Sequence, residues 1–458
     1  MSAEKTDPLY KKLRFHCFLA ATFGYSLYYV CRTSLNVVKQ PIIDSGFLDA
    51  GQLGIIGSCL LAAYAVGKFV NGFLADYSNI RRFMATGLIV SSVANLVMGI
   101  LGLWSGLAGI SGMVVFVVFA IVWAINGWSQ SMGAPPAIIS LSRWYPLSER
   151  GSYYGFFSAS HNFGEGLSYL FVGLIVSFAG WQWGFFGSAL AGALGIVLIL
   201  LLMHDTPESE GLPPVEVLTG EKTQEQLDAE KKQAAESSAD ESAEVKRIQK
   251  AVLKSPGVWI LALASAFMYV SRYAVNGWGV LFLQKVKGFE LATATILLSV
   301  NAWCGVVGTV VSGWFSDKLF HGDRKIPALL FGILNTVALV LFLYGGNSLW
   351  INILAMVLFG IAIGVLICFL GGLMAVDLVP RKATGSALGI VGMASYAAAA
   401  LQDIISGQLI DKNITEQLVD GQMTQVYDFG PAAIFWVGAS IISFLLPLLN
   451  WRRKKEQF

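Results

Sequence analysis

The chain contains twelve apolar stretches that are each long enough to cross a lipid bilayer. A transmembrane helix needs about 20 consecutive, predominantly apolar residues. Because backbone polar groups cannot be left unpaired in lipid, such stretches must be helical or form a closed barrel. Their length therefore predicts an all-α membrane protein, with spans at about 15–38, 52–76, 83–104, 114–136, 151–177, 182–204, 257–284, 292–318, 326–347, 350–374, 384–411 and 430–450.

The composition narrows the class of protein further. Only 13% of the residues are charged, whereas soluble domains carry roughly 25%. A net charge of +2 gives no basic footprint for nucleic acid. The five cysteines lie in apolar stretches without CxxC spacing, which is typical of free buried thiols. The sequence has no metal-ligand cluster, nucleophile motif or nucleotide-binding loop, so we expect neither an enzyme nor a bound cofactor or metal.

Basic residues in the short loops predict how the chain is oriented. Seventeen Lys and Arg residues fall on one side, and four fall on the other, namely Lys39, Lys285, Lys287 and Lys412. Positive charge stays on the cytoplasmic side of a membrane, so both termini are predicted to be cytoplasmic. The compact chain suggests a bacterial source, which would place the protein in the inner (plasma) membrane. We expect a monomer.

The segment 205–256 separates two sets of six spans. It contains Pro207, Pro213 and Pro214 and a run rich in Glu, Lys, Ala and Ser, so it cannot cross a bilayer. The predicted organisation is therefore an N-terminal half at 1–204, a cytoplasmic connecting loop at 205–256 and a C-terminal half at 257–458.

Two loops repeat one pattern at equivalent places in the two halves. The pattern is a glycine, an aspartate four residues later and a basic cluster: Gly72, Asp76 and Arg82, then Gly313, Asp317 and Arg324, 241 residues on. A second repeated pattern, Gly-Ser-x-x-Gly, begins at Gly151 and Gly385. Parallel repeats of this kind are typical of the major facilitator fold, in which two pseudo-symmetric six-helix halves enclose a midplane site. The loops resemble that superfamily's signature, which implies a gating role at the cytoplasmic face.

Two arginines lie deep inside apolar stretches. Arg32 and Arg272 are 240 residues apart, so they occupy equivalent positions of the two halves. An Arg at mid-span costs roughly 2.5–3.5 kcal/mol on insertion scales. A phosphate group would offset both charges, because each guanidinium can donate a forked pair of hydrogen bonds to it. The alternative is that each arginine pairs with an acid on a neighbouring helix, and Glu165 and Asp403 are available.

Two further titratable residues lie in predicted spans. Lys68 has no charged counterpart in the second half, where Thr309 stands. It either serves the site or extends its amine to the cytoplasmic interface. His161 lies near the midplane among Ser158, Ser160 and Asn162. It is either a packing residue or a group that binds substrate or carries a proton.

Five motifs distributed along nearly the whole chain are specific enough to indicate a family. They are Gly24-Tyr25-x-x-Tyr28-Tyr29-x-x-Arg32, Tyr64-x-x-x-Lys68-Phe69, His161-Asn162-x-Gly164, Tyr269-Val270-x-Arg272 and Gly313-Trp314-x-Ser316-Asp317. With them the chain resembles the organophosphate–phosphate antiporters of the major facilitator superfamily. The resemblance implies that Arg32 and Arg272 hold a phosphate, that His161 aids binding and that Lys68 lies near the site. It implies exchange of inorganic phosphate for an organic phosphate, foremost a hexose phosphate such as glucose 6-phosphate.

The sequence departs from the family pattern at two positions. Thr33 stands where the family commonly has Lys, and Glu165 interrupts a run of glycines. Asp403 adds a second intramembrane acid. These acids are candidates for proton coupling or for contact with a sugar hydroxyl. The aromatic candidates for a sugar-facing wall are Tyr28, Tyr29, Tyr273, Trp278 and Tyr396.

Two other functions fit the same sequence. One branch of the family consists of membrane sensors that bind hexose phosphate and signal to a partner kinase. The other alternative is a proton-coupled transporter of another small organic anion or of glycerol 3-phosphate.

Overall fold

A computed structural model describes the backbone of residues 8–108, 111–146, 149, 153, 156–227, 247–248, 250–320, 323–379, 384–419 and 422–450. Within those ranges the side chains of residues 69, 73, 76, 105–108, 313–317, 376, 385, 417–419, 422–424 and 450 lie outside the description. Asp76 and Asp317, two of the predicted gating residues, are among them.

The first half is built from long apolar helices joined by short loops. Asp49 precedes the second helix in a capping box: its side chain accepts a hydrogen bond from the Gln52 backbone N–H, and its own backbone N–H donates to the Gln52 side-chain oxygen. The helices described in this half are α1 (Pro8–Asp44), α2 (Ala50–Asp76), α3 (Ile80–Ala108), α4 (Gly112–Gln130), α5 (Ala134–Trp144), α6 (Ser160–Ala179) and α7 (Trp181–Leu202).

The fourth predicted span, 114–136, is in fact two helices. Helix α4 ends at Gln130 and α5 begins at Ala134, with Pro135 and Pro136 in its first turn. Proline fits the first turn of a helix but not its interior, so the pair restarts the helix after a turn. The apolar segment continues to Trp144, eight residues beyond the predicted boundary.

The connector contains short helical pieces among its described residues. They include a 3₁₀ turn at Glu208–Glu210 and one helical turn, α8 (Val215–Leu218). Residues 224–227, 247–248 and 250–252 are helical as well. Its start is held to the first half, since Arg143 pairs with Asp205 at 2.5 Å.

The second half repeats the helical pattern and adds a hairpin that the all-α prediction missed. Strands β1 and β2 pair antiparallel, with Ile414 opposite Tyr427. A five-residue π-helical segment, Phe369–Leu373, follows α12 directly. The described elements are α9 (Pro256–Lys285), α10 (Leu291–Leu319), α11 (Lys325–Tyr344), α12 (Leu349–Cys368), α13 (Met374–Leu378), α14 (Thr384–Lys412), β1 (Ile414–Val419), β2 (Gln422–Tyr427) and α15 (Gly430–Leu445).

The described residues contain eleven segments that are apolar and long enough to span a membrane. Helix α1, with 37 residues, is the twelfth. Large apolar side chains on the outside of the bundle give it a surface suited to lipid, as at Phe178, Leu201 and Ile434. The predicted twelve-helix membrane architecture is thus confirmed.

The halves meet mainly where α2 packs on α14 and where α6 packs on α10. These contacts are close because glycines line them. A Cβ added to Gly54 would lie 2.5 Å from the carbonyl oxygen of Asp403, and one added to Gly407 would lie 2.7 Å from that of Ala50. Lys285 also pairs with Asp44 across the halves, at 2.5 Å. The contacts of Gly54, Gly407 and the Lys285–Asp44 pair lie at the end of the bundle where α1 ends and α2 begins, here called the far end.

One predicted loop residue is buried in a helix instead. The first span was expected to end at 38, which assigned Lys39 to an outer loop. Helix α1 continues to Asp44, and Lys39 is only 1% exposed. The assignment of Lys39 to the loop was wrong. A charged residue ends an apolar stretch in the sequence, but in the folded protein an internal partner neutralises this charge.

Candidate functional site

Five charged side chains are buried within the spanning helices that the structure describes. Each is at most 5% exposed. They come from four helices and meet between the two halves: Arg32 and Lys39 on α1, Glu165 on α6, Arg272 on α9 and Asp403 on α14. Three cations against two carboxylates leave one formal positive charge in excess. A buried excess charge is unfavourable unless a counter-ion joins it.

The arginine of the second half is paired with the acid of the first. Arg272 Nη2 lies 3.4 Å from Glu165 Oε2, and Asn276 Nδ2 donates to Glu165 Oε1 at 2.8 Å. Asn301 Nδ2 in turn donates to Asn276 Oδ1 at 3.0 Å, and Tyr169 donates to the Asn276 carbonyl at 2.6 Å. The carboxylate is therefore held by one cation and one amide whose own position is fixed.

A second ion pair crosses the halves in the opposite sense. Lys39 Nζ lies 3.1 Å from Asp403 Oδ1, and the same Nζ lies 3.7 Å from the centre of the Trp278 ring. Gly57 leaves room for this carboxylate, since an added Cβ would overlap Asp403 Oδ2. Both acids that the sequence left open are thus internal counter-ions, and the partner of Asp403 is Lys39.

Arg32 has no carboxylate partner among the described residues. Its Nη2 donates to the Tyr273 hydroxyl at 3.0 Å. Its guanidinium carbon lies 4.2 Å from the ring centre of Tyr64, 5.3 Å from that of Tyr29 and 5.5 Å from that of Tyr396. Aromatic faces stabilise a cation only partly. The excess positive charge of the site therefore belongs to Arg32.

Aromatic rings from both halves enclose the space between the arginines. Tyr64 and Tyr396 approach to 4.6 Å between ring centres, and Tyr269 lies 5.4 Å from Tyr396. We call Tyr29, Tyr64, Tyr269, Tyr273 and Tyr396 the tyrosine cluster. Tyr29 and Tyr273 also line a cavity between the halves, together with Arg32, Glu165, Gly277 and Asp403.

His161 and Lys68 lie beside the tyrosine cluster. The His161 ring is 5.9 Å from that of Tyr29, and its buried Nε2 has no hydrogen-bond partner among the residues that the structure describes. A buried polar nitrogen of this kind is costly unless a ligand completes it. Lys68 Nζ lies 5.3 Å from the centre of the Tyr396 ring, although its side chain is exposed. Both residues therefore lie next to the rings that surround Arg32.

Other predicted site residues lie elsewhere. The Tyr28 hydroxyl donates to the Met84 carbonyl inside the first half, so Tyr28 is not brought to the cavity. Trp278 is fully buried against Lys39. Of the predicted gating residues, Arg82 is exposed at the start of α3. Arg324 pairs with Asp377, a partner that the sequence did not indicate.

Several contributors to the site were not identified as such from sequence. Lys39 was assigned to a loop, and Asn276 was not singled out. Tyr64 and Tyr269 were named only within motifs. The spacing of Asn276, four residues after Arg272, would have placed both on one face of α9. The structure shows no group of His, Cys, Asp and Glu among its described residues that would hold a metal ion.

The fold and this charged interface define a membrane transporter of the Major Facilitator Superfamily. The sequence profile of that superfamily matches residues 21–402. The fold is also that of solved structures with little sequence similarity. A bacterial homologue of the human lysosomal transporter Spinster superposes with a TM-score of 0.68 at 19% identity, over 98% of this chain and 100% of the other.

Within the superfamily, the chain belongs to the organophosphate–phosphate antiporter family. It is 34% identical to a probable hexose phosphate transport protein of Chlamydia pneumoniae, over 88% of this chain and 86% of that protein. It is 31% identical to the membrane sensor protein UhpC of Salmonella typhimurium, and 30% identical to the glycerol-3-phosphate transporter of Bacillus subtilis. Each of those two alignments covers 99% of this chain and 95% of the relative. The family consists of transporters and related sensors rather than enzymes.

Proposed function

We propose that this protein is a secondary active transporter that exchanges an organic phosphate, foremost a hexose phosphate such as glucose 6-phosphate, for inorganic phosphate. The observation that carries the proposal is the positive charge of Arg32, which has no carboxylate partner among the described residues and lines a cavity together with Glu165, the partner of Arg272. A phosphate supplies the missing anion and accepts hydrogen bonds from both guanidinium groups.

The substrate contacts follow from the same geometry. Arg32 and Arg272 bind the phosphoryl oxygens, and the unpartnered nitrogen of His161 provides a further hydrogen bond. Lys68 attracts the anion from the exposed side of the tyrosine cluster. The rings of Tyr29, Tyr273 and Tyr396 pack against the organic part of the substrate.

Exchange follows from the electrostatics of the site. A carrier with an uncompensated Arg32 reorients slowly, because its charge must pass through a closed and dry state. Bound phosphate compensates that charge and allows the halves 1–204 and 257–458 to rock about the site, which is the alternating-access mechanism. Asp76, Arg82, Asp317 and Arg324 gate the cytoplasmic face in this cycle.

The proposed setting is a bacterial inner membrane. Both termini and the connector 205–256 would be cytoplasmic, as the distribution of basic residues predicts. The transporter would act as a monomer.

Counterflow in proteoliposomes tests the proposal. Vesicles are loaded with unlabelled phosphate, and entry of labelled phosphate is followed with glucose 6-phosphate, glycerol 3-phosphate or glucose as competitors. We expect glucose 6-phosphate to inhibit entry and glucose to have no effect. Absence of exchange in the presence of measurable phosphate binding would contradict the proposal.

A second candidate function is that of a hexose phosphate sensor. It is favoured by the 31% identity to UhpC along 99% of the chain. A sensor would bind glucose 6-phosphate without exchanging it and would contact a membrane kinase. The same counterflow experiment, combined with a binding measurement, separates the two functions.

A further inference from the structure

The carboxylate of Glu165 is paired with the guanidinium of Arg272, which a bound phosphate would also need. Arg272 Nη2 lies 3.4 Å from Glu165 Oε2, while Asn276 holds the other carboxylate oxygen at 2.8 Å. A phosphate bound to Arg272 would lie next to this carboxylate. Two like charges at such a distance in a buried site repel strongly, so one of them must lose its charge or leave.

The buried charges support the same conclusion. The described buried set carries one excess positive charge, which resides on Arg32. A dianionic phosphate ester would change the formal charge of this set from plus one to minus one. Lys68 offsets this only partly because its side chain is exposed, where water screens its charge. One proton on the Glu165 carboxylate would bring the total formal charge of the buried residues and the substrate to zero.

We propose that Glu165 takes up one proton when an organic phosphate binds, so that each substrate molecule crosses the membrane together with a proton. This inference rests on the proposed function, since it requires phosphate to bind Arg32 and Arg272. The proton comes from water on the side to which the cavity is open and forms a bond to a Glu165 carboxylate oxygen. When substrate leaves on the other side, that proton returns to water and Glu165 pairs again with Arg272.

Glu165 is better placed for this role than Asp403. Asp403 is bound to Lys39 at 3.1 Å, and that lysine also lies on the Trp278 ring. Phosphate binding at the arginines leaves this pair intact. The titratable and charged groups around Glu165 are Tyr29, Arg32 and Lys39 on α1, His161 and Tyr169 on α6, Arg272 and Tyr273 on α9, and Tyr396 and Asp403 on α14.

The consequence is a carrier that performs more than exchange. In the empty state Glu165 remains on Arg272, so Arg32 is the one buried cation of the described site without a counter-ion. The empty carrier therefore returns slowly rather than not at all, and a pH gradient can drive slow net uptake of organic phosphate. Exchange of one phosphate for another moves a proton in each direction and so produces no net proton flux.

Proton uptake on binding is the direct test. Binding of glucose 6-phosphate to the purified full-length protein is measured by calorimetry in buffers of different ionisation enthalpy. Working at about pH 8 keeps the phosphate dianionic, since its second pKa is about 6. We expect the wild type to take up about one proton per bound molecule and Glu165→Gln to take up none. Glu165→Gln should also bind several-fold more tightly, because the competing carboxylate is gone.

The matched control is Glu290→Gln, which neutralises an exposed acid outside the site and should still take up a proton. Binding by the wild type without proton uptake would overturn the inference while leaving the proposed exchange intact. Proton uptake that survives in Glu165→Gln but is lost in Asp403→Asn would also overturn it. Because the first result needs only the wild type, a variant that misfolds does not weaken the test.

Transport gives an independent readout. Phosphate-free proteoliposomes containing the wild type should accumulate glucose 6-phosphate when the outside is made acidic, and a pH-sensitive dye inside should report proton entry. Glu165→Gln should lose this acid-driven accumulation. Wild-type exchange with no acid-driven accumulation would reject net proton-coupled uptake, whereas absence of any exchange would reject the proposed function itself.

Discussion

Arg32 and Arg272 are equivalent in the sequence repeat but differ in their surroundings. They lie 240 residues apart, and each reaches the interface between the halves. Arg272 has a carboxylate, Glu165, and an amide network behind it. Arg32 has a hydroxyl and aromatic rings. The two arginines are therefore equivalent in position but not in charge compensation, and Arg32 of the first half is the one that still requires an anion.

The largest effect is expected from replacing either arginine by lysine. Lys keeps the charge but loses the forked pair of hydrogen bonds, each worth roughly 1.5–3 kcal/mol when charge-assisted. Arg32→Lys and Arg272→Lys should each reduce phosphate exchange by roughly 100-fold or more, measured by counterflow. Lys412→Arg, at an exposed position, is the control. Near-normal exchange in either arginine variant would show that the pair does not bind phosphate.

Stability should separate the two arginines. Arg272→Gln leaves Glu165 buried without its cation, and breaking a buried ion pair in this way costs about 3–5 kcal/mol. Arg32→Gln strands no acid, so the protein should lose little stability or gain some. Thermal unfolding in detergent without phosphate measures both variants.

The double variant Arg272→Gln/Glu165→Gln is the matched control for that prediction. It removes both charges and should recover most of the lost stability. Equal destabilisation by Arg32→Gln and Arg272→Gln would mean that the difference in their partners has no energetic weight.

A smaller effect is expected at the hydroxyl that binds Arg32. Tyr273→Phe removes one hydrogen bond, worth about 1 kcal/mol, and should raise the KM for phosphate several-fold. Tyr28→Phe removes the hydroxyl that binds the Met84 carbonyl, outside the cavity. It should lower stability by a similar amount without changing the KM. A KM effect in Tyr28→Phe would place Tyr28 in the site after all.

The smallest effect is expected at the exposed ion pair between the halves. Lys285 and Asp44 form a contact of 2.5 Å, but their side chains are 21% and 46% exposed. Exposed pairs contribute about 0–1 kcal/mol. Lys285→Met should thus change the unfolding temperature little, and the change should shrink further at high salt. A drop as large as that of Arg272→Gln would show that this end of the interface is tightly coupled.

The number of helices and the family could be predicted because both depend on patterns of residues that are close together in the sequence. Long apolar stretches give the spans, and the motifs around Arg32, His161 and Arg272 give the family. The break between α4 and α5 could also have been predicted, since Pro135 and Pro136 are typical of the first turn of a helix. It was missed because average hydropathy hides a turn within an apolar segment.

The pairing inside the site could not be predicted in the same way. Glu165 and Asp403 were both recognised as intramembrane acids, but which cation each would meet depends on how four helices are rotated and tilted. Lys39 shows the limit most clearly. Charge ended the predicted span before it, whereas in the folded chain Asp403 on a distant helix neutralises it.

The glycines at the far end affect how freely the two halves can part. An added Cβ at Gly54 or Gly407 would meet the main chain of the opposing helix. Neither glycine has a side chain that must change rotamer when the contact slides or separates. The end of the α2–α14 contact at these two glycines can therefore shift with less hindrance than its middle, where the Tyr64 and Tyr396 rings pack 4.6 Å apart.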